Sequence, residues 1–423
     1  MRYIVLMAGL MLNMFSTQHD YLVNGPEKIH SLKVGMPNTH LQQKCAELVH
    51  KASLSLHKLD QSGYALRYGP EPGSDIFQRE VAKFLTEQYG DTVNHEDVWA
   101  NAGASQGLAF IGSALFQPGD VVFADEPMYY HSLGILRVDL KMKVIGVPSD
   151  KDGIIIEELE KLLMEYSDKL PPPTEKKPFS AMLYCVPTYN NPTGSSLPVE
   201  RCEKVIELLR KHNILAFCDD VYNLLSYTDG MPPPQRLFAF DDKSDVDYKG
   251  NVISNGSFSK FLAPGLRLGW MELPERVRSL LTTSSYSKGG GCFNNYTSCI
   301  ISVALREGLV KDHLLMARKV FHSQRNALCD ALVKYIPGKC SYQKPQGGYF
   351  VWVTLPSEVD CEKLYAICRK KYFVEFNYGS RFAASVGKFT NCMRLSFSFN
   401  ESDIIEHCVK QIALALKELL NHA

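Results

Sequence analysis

The forty residues Ala181–Asp220, AMLYCVPTYNNPTGSSLPVERCEKVIELLRKHNILAFCDD, decide the fold. They open on one short apolar run, Ala181–Val186, and end on another, Ile214–Cys218, each the length of a buried strand. Between them Val199–Arg210 places Cys202, Val205, Ile206 and Leu209 on one face of a helix. Strand, helix and strand in that order make a βαβ unit, the mark of a mostly parallel sheet covered on both faces. Working outward, Val121–Ala124, Lys143–Val147, Val252–Ser254 and Leu268–Met271 read as further strands. Pro171–Pro178 and Pro232–Gln235 read as loops, because proline feeds neither a ladder nor a helix interior. The polar stretch Asp241–Gly250 reads as a surface connection, and no internal repeat is present. After about Ile336 the rhythm changes. Strands near Tyr349–Thr354, Phe373–Phe376 and Met393–Phe397 surround a helix at Glu362–Lys371. A last helix, Ser402–Leu420, aligns Ile405, Val409, Ile412 and Leu416 in one stripe. The expected class is α/β, with a smaller α+β domain at the C-terminal end.

Charge narrows the function. Of 423 residues, 46 are Lys or Arg and 46 are Asp or Glu, so no whole-chain basic field exists to hold nucleic acid or an anionic membrane. Any bound anion must be gripped locally. A hydrophobic share of 45% with 22% charged is ordinary globular usage and argues against a disordered chain. The twelve cysteines form no C-x-x-C pair and no zinc-spaced cluster, so they read as small buried hydrophobes in a reducing compartment, with no metal expected. Arg2 precedes an apolar run, Tyr3–Met11, the size of a signal-peptide core but well short of the roughly 20 residues that span a bilayer. No small-x-small cleavage site follows cleanly, and Met7, Met11 and Met14 are alternative starts. The expected location is cytoplasmic, with secretion or organelle targeting as the alternative.

The chemistry concentrates in Ser254–Trp270, SNGSFSKFLAPGLRLGW. Ser257 and Ser259 immediately precede Lys260, and Arg267 follows seven residues later, with Pro264–Gly265 turning the chain between. Serine hydroxyls and an arginine make a phosphate grip, because hydrogen bonds to a charged group contribute about 1.5–3 kcal/mol each. A lysine beside that grip is placed to form a Schiff base with a phosphorylated aldehyde cofactor, pyridoxal 5'-phosphate. A solvated lysine in a serine-rich loop is the plainer alternative.

Other segments supply the remaining parts. GMPN at Gly35–Asn38, NAGASQGL at Asn101–Leu108, YNNPTG at Tyr189–Gly194, CDDVY at Cys218–Tyr222, GGYFVW at Gly347–Trp352 and CMRLSFS at Cys392–Ser398 appear in order. With these motifs the chain resembles the fold-type-I, pyridoxal-phosphate-dependent aminotransferases of class I/II, nearest the kynurenine and 2-aminoadipate branch. The resemblance runs from about Gly35 to the last helix. It implies an N-terminal arm with part of the small domain over 1–55, a large cofactor-binding domain over 56–336 and the C-terminal small domain over 337–423. It also implies a homodimer with shared active sites.

Residue by residue, the resemblance implies that Asn191 and Tyr222 bond the pyridoxal phenolic oxygen and that Asp219 pairs with the pyridine nitrogen. The competing readings are a generic turn for NPTG, and a cap or turn role for Asp219 with Asp220 in its place. Gly103-Ala104-Ser105 joins a strand to a helix, where backbone N–H groups favour a phosphate. That role falls to Ala104 and Ser105, although Ala104 lacks the hydroxyl found in many relatives. In DEPMYY, Asp125–Tyr130, Tyr129 is implied to stack on the pyridine, with Tyr130 one residue away as the rival. In RYGPEPG, Arg67–Gly73, Tyr68 is implied to reach the phosphate of the neighbouring subunit, while Tyr64 reads as core or substrate-facing. Gly35 and Asn191 are implied at the substrate. Arg394, inside an apolar strand, needs an anionic partner. The resemblance makes that partner the substrate α-carboxylate; a structural salt bridge, or Arg381 in its place, is the alternative. Lys288–Asn295, KGGGCFNN, reads either as backbone that approaches a ligand or as a flexible loop.

The implied activity moves an amino group between an L-amino acid and a 2-oxo acid by a ping-pong route, with Lys260, Asp219 and Tyr222 as the catalytic set. A carbon–sulfur β-lyase on the same scaffold and a non-catalytic binding protein are the competing readings. No arginine lies between Tyr3 and Leu66, although Lys28 and Lys33 do, and this leans the expected donor toward neutral, aromatic or aliphatic amino acids.

Overall fold

The computed structural model describes residues 29–228, 232–336, 338 and 340–421. The apolar leader therefore lies outside the described residues. The centre is an eight-stranded sheet in the order Val98–Asn101, Gly269–Glu272, Val252–Ser257, Ile214–Cys218, Ala181–Cys185, Val121–Glu126, Lys143–Asp150 and Gly153–Ile154. The five strands from Val252–Ser257 to Lys143–Asp150 run parallel. Gly269–Glu272 is antiparallel to both of its neighbours, so the parallel run ends at Val252–Ser257 on that side.

Alternation along the strands builds two cores. Ala181, Leu183 and Cys185 face one cluster together with Cys202, Val205, Ile206 and Leu209 of the Val199–His212 helix. Met182 and Tyr184 face the other. The βαβ unit thus buries both faces of its strands, which is why they carry no polar alternation.

A second, four-stranded antiparallel sheet has the order Ser341–Tyr342, Phe350–Thr354, Cys392–Ser396 and Asn377–Tyr378. Its covering helices include Cys361–Lys371 and Ser402–Asn421, and the stripe Ile405, Val409, Ile412 and Leu416 is buried. The expected strand Phe373–Phe376 is shorter. Phe373 sits at φ 54°, and only Val374–Glu375 pairs, in parallel with His30–Ser31 near the N-terminus. That small pairing lays Lys33–Met36 across the gap between the two sheets.

Periodicity does not delineate the 27-residue helix Leu309–Tyr335, because its buried face includes His313, Gln324 and Arg325 among the apolar residues. All twelve cysteines are free, and all but Cys340 are buried. Among the described residues no helix is long and apolar enough to cross a membrane.

Candidate active site

The parallel strands deliver their next residues to one crevice at their carboxyl ends, the usual ligand position in an open α/β sheet. Val121–Glu126 leads to Tyr129, Ala181–Cys185 to Asn191, Ile214–Cys218 to Asp219 and Tyr222, and Val252–Ser257 to Ser259 and Lys260. These residues, with Ala104, Ser105, Ser257 and Arg267, line one inner cavity of about 200 Å³. A larger cavity of about 490 Å³ adjoins it and shares Tyr129, Asn191, Tyr222 and Lys260. Gly35, Arg394, Tyr130, His131 and Phe350 stand on its walls.

At one end of the inner cavity the Ala104–Leu115 helix begins without a side-chain cap, so its first N–H groups remain available to an anion. The N-cap Gly103 has φ 94°, and a Cβ there would lie 2.6 Å from the Arg267 guanidinium. Glycine is required because arginine packs directly on that backbone. Arg267 itself donates to the carbonyls of Ala102 (3.1 Å) and Pro264 (3.2 Å), which aims its charge at the same turn. Ser257 Oγ donates to Ser259 Oγ at 3.0 Å. Two serines, a helix N-terminus and an arginine at one end fit a phosphate monoester.

The same cavity holds Asp219. Burial pushes its carboxyl up to about 6, opposed by a hydrogen bond from Tyr184, the charge of Lys260 and a hydrogen bond from Asn255. Tyr184 Oη donates to Oδ2 at 2.9 Å and Asn255 Nδ2 to Oδ1 at 3.3 Å. The carboxylate is thereby kept charged at neutral pH and presented to the cavity, which suits a cationic ring nitrogen. Asp220 turns away: its Oδ2 accepts from Ser254 Oγ at 2.6 Å, and it does not line the cavity. Tyr184 and Asn255 escape a reading of the sequence. One sits in an apolar strand and the other in a polar run, and nothing local marks either as a partner of Asp219.

Lys260 stands between the cavities and donates to the Gly35 carbonyl at 3.1 Å. Burial draws its ammonium down to about 8, against the favourable charge of Asp219, with Arg394 and Arg267 lowering it further. An amine with that value is substantially neutral near pH 8, unlike a solvated lysine near 10.4. In the cofactor-free protein, the rate at which a small electrophile modifies Lys260 should therefore titrate with a midpoint near 8. A midpoint above 10, read by peptide mass spectrometry across pH, would contradict this.

Arg394 is the partner of Trp352 and Asn377 in the antiparallel register. Its Nη1 donates to Asn191 Oδ1 at 2.9 Å and its Nη2 to the Lys33 carbonyl at 2.8 Å, while its Nε is buried without a partner. The guanidinium lies 3.9 Å from the Phe350 ring centroid. Among the described residues no carboxylate pairs with it, so the alternative of a structural salt bridge is not met. Burial holds its pKa below the ordinary arginine value. A buried cation facing a cavity without a counter-ion suits an incoming carboxylate. Arg381 is exposed, outside this cavity, and stacks on Tyr130.

Asn191 is set by the turn before it. Asp125 Oδ2 accepts from Val186 N (3.0 Å) and Asn190 Nδ2 (2.7 Å), and Asn190 Oδ1 accepts from Thr193 N (3.1 Å). Tyr129 lines both cavities, whereas Tyr130 lines only the outer one. Gly35 lies so close to Phe350 that a Cβ would come within 2.8 Å of the ring.

Two predicted residues lie elsewhere. Tyr68 is 88% exposed and outside both cavities, and Tyr64 borders a separate groove. The Gly289–Gly291 run does not line the cavities either. Ser285–Gly290 is helical, and a Cβ on Gly291 would lie 2.2 Å from the Gly69 carbonyl, so this run buttresses the loop that carries Tyr68. Asn295 adds a bond to the Arg67 carbonyl at 3.0 Å.

Residues 27–412 match the family described as aminotransferase class I and II. The mouse mitochondrial kynurenine/alpha-aminoadipate aminotransferase is 28% identical over 96% of this chain and 95% of its own. Among solved structures, the kynurenine aminotransferase of Pyrococcus horikoshii, in complex with PMP, is 28% identical with a TM-score of 0.80, covering 98% of this chain and 99% of that one. The α-aminoadipate aminotransferase LysN of Thermus thermophilus, complexed with N-(5'-phosphopyridoxyl)-L-leucine, is 26% identical with a TM-score of 0.78, covering 93% and 94%.

Proposed function

Because the chain belongs to the aminotransferase class I and II family, we propose that it is a pyridoxal-phosphate-dependent transaminase that moves an amino group between an L-amino acid and a 2-oxo acid by a ping-pong mechanism. The observation that carries this reading is the wall shared by the two cavities, where Lys260 stands between a cavity lined by Asp219, two serines and Arg267 and one holding an arginine with no carboxylate partner among the described residues.

When bound, pyridoxal phosphate supplies an aldehyde that condenses with amines and a protonated ring that accepts electrons from the substrate Cα. In this reading Lys260 holds it at the aldehyde and Asp219 at the ring nitrogen. Asn191 and Tyr222 bond its phenolic oxygen, Tyr129 packs on the ring face, and Ala104, Ser105, Ser257, Ser259 and Arg267 grip the phosphate. Arg394 binds the substrate α-carboxylate, with Asn191 orienting the guanidinium, and Gly35 closes the pocket above. The free amine of Lys260 takes the proton from the substrate Cα. Burial, which already lowers its pKa in the cofactor-free protein, favours the neutral amine that this role needs. Asp219 would hold the opposite charge at the ring nitrogen throughout.

Ping-pong chemistry is tested by half-reactions. The holoenzyme mixed with an amino acid alone should release one equivalent of 2-oxo acid per site, and a second 2-oxo acid added later should be aminated. Product formed only when both substrates are present together would refute it.

Tyr68 is useful in this scheme only across a dimer. Leu54, Leu59, Leu66 and Ile76 are exposed along with it on neighbouring segments, an apolar surface suited to a second copy. Sedimentation should give twice the chain mass. Charging that surface with Leu59→Asp and Leu66→Asp should yield a monomer with weakened cofactor binding; a wild-type monomer of full activity would contradict the shared site.

A further inference from the structure

The outer cavity has a charged wall that the scheme above does not use. Glu375 is only 7% exposed yet lines this cavity, as does Lys33, and Lys33 Nζ lies 3.3 Å from Glu375 Oε2. Glu375 is fixed from behind: Arg369 Nε lies 2.9 Å from Oε1, and Tyr365 Oη donates to the same oxygen at 3.4 Å. Lys33 is fixed at its backbone, where the carbonyl accepts from Arg394 Nη2 and from Asn377 Nδ2. Asn377 is the register partner of Arg394, and Glu375 lies two residues before it, about 6.6 Å along an extended chain. A substrate held by its α-carboxylate on Arg394 therefore has its side chain within reach of the Lys33–Glu375 pair.

An ion pair in a cavity wall discriminates by charge. An anionic tail that approaches Lys33 meets the Glu375 carboxylate beside it, and a cationic tail that approaches Glu375 meets the Lys33 ammonium; Arg369, the second cation on Glu375, is exposed and does not line the cavity, so water screens it. An uncharged group with an acceptor and a donor on neighbouring atoms satisfies both at once: its oxygen accepts from Lys33 and its N–H donates to Glu375. We propose that Lys33 and Glu375 select amino donors whose side chains end in such a dipolar group, a carboxamide of glutamine length, over donors with anionic or cationic tails. This deepens the transamination reading and rests on it.

The test compares kcat/KM for glutamine, glutamate and ornithine on the holoenzyme, each normalised to leucine on the same variant to separate damage to the fold from altered selectivity. Wild type should prefer glutamine to both. Glu375→Gln leaves Lys33 without its carboxylate and should lower the glutamine-to-glutamate ratio about tenfold. Lys33→Met leaves the carboxylate facing the cavity and should lower the glutamine-to-ornithine ratio about tenfold. A wild type that prefers glutamate, or a ratio unmoved in its variant while leucine is turned over, overturns this assignment alone. Failure of every donor on wild type removes the transamination reading and this inference together.

Discussion

Lys260→Ala should lower turnover by about 10⁴-fold or more, with no recovery at high cofactor concentration. The substitution removes two functions from one atom. The amine is the covalent hold on the aldehyde, and once released it is the proposed base at the substrate Cα. The phosphate end is untouched: Arg267, Ser257, Ser259 and the start of the Ala104–Leu115 helix remain, so the variant should still bind pyridoxal phosphate. Equilibrium dialysis should find the cofactor bound, while borohydride reduction should leave no cofactor on any lysine peptide. Retained turnover, or a labelled lysine elsewhere that supports activity, would move the catalytic amine to another residue. Loss of Arg267 is a contrasting case, because its contribution is affinity that excess cofactor partly restores.

Asp219→Asn should cost about 10²–10³-fold in kcat at nearly unchanged donor KM, because it removes a charge that acts on the reacting ring and leaves the carboxylate anchor Arg394 in place. The exchange keeps size and most hydrogen-bonding capacity, so Tyr184 and Asn255 remain packed around it. Two pH signatures distinguish this from a folding defect. Asp219 favours the protonated form of Lys260, so its neutralisation should shift the Lys260 modification midpoint below 8. Cofactor capture by the wild-type apoprotein should weaken as pH falls through about 6, where the Asp219 carboxylate takes up its proton, and that acid limb should be shallower in the variant, which keeps only the part due to the cofactor phosphate and Lys260. A kcat within a few-fold of wild type would remove Asp219 from the ring-nitrogen role.

Much of this site is legible in the chain because its residues follow strands. A buried parallel strand announces itself by an apolar run, and polar residues that follow the run are candidates for the crevice at its carboxyl end. The Asp219–Asp220 pair after Ile214–Cys218 and the Ser257–Lys260 group after Val252 are readable on that basis, without the choice between the two aspartates. The partners that tune them are not. Tyr184 is an ordinary aromatic in an apolar strand until parallel pairing sets Ala181–Cys185 beside Ile214–Cys218. Glu375 reads as a polar residue in a short strand, and only its pairing with the N-terminal segment brings it to Lys33. The expected strand Phe373–Phe376 is too long for a related reason: Phe373 adopts a left-handed conformation that residue composition does not signal.

By itself the amino-acid order determined the α/β class, the succession of strand and helix, and the kinds of side chain available for phosphate, ring nitrogen and carboxylate. These follow from local periodicity and from what each functional group can do chemically. Tertiary structure decided which of those groups meet: that Asp219 rather than Asp220 enters the cavity, that Arg394 lacks a carboxylate partner among the described residues, and that Lys33 and Glu375 close the outer wall. Such pairings join residues as far apart as Lys33 and Arg394, 361 positions, and depend on strand register and packing between two sheets, which no local window of the chain encodes.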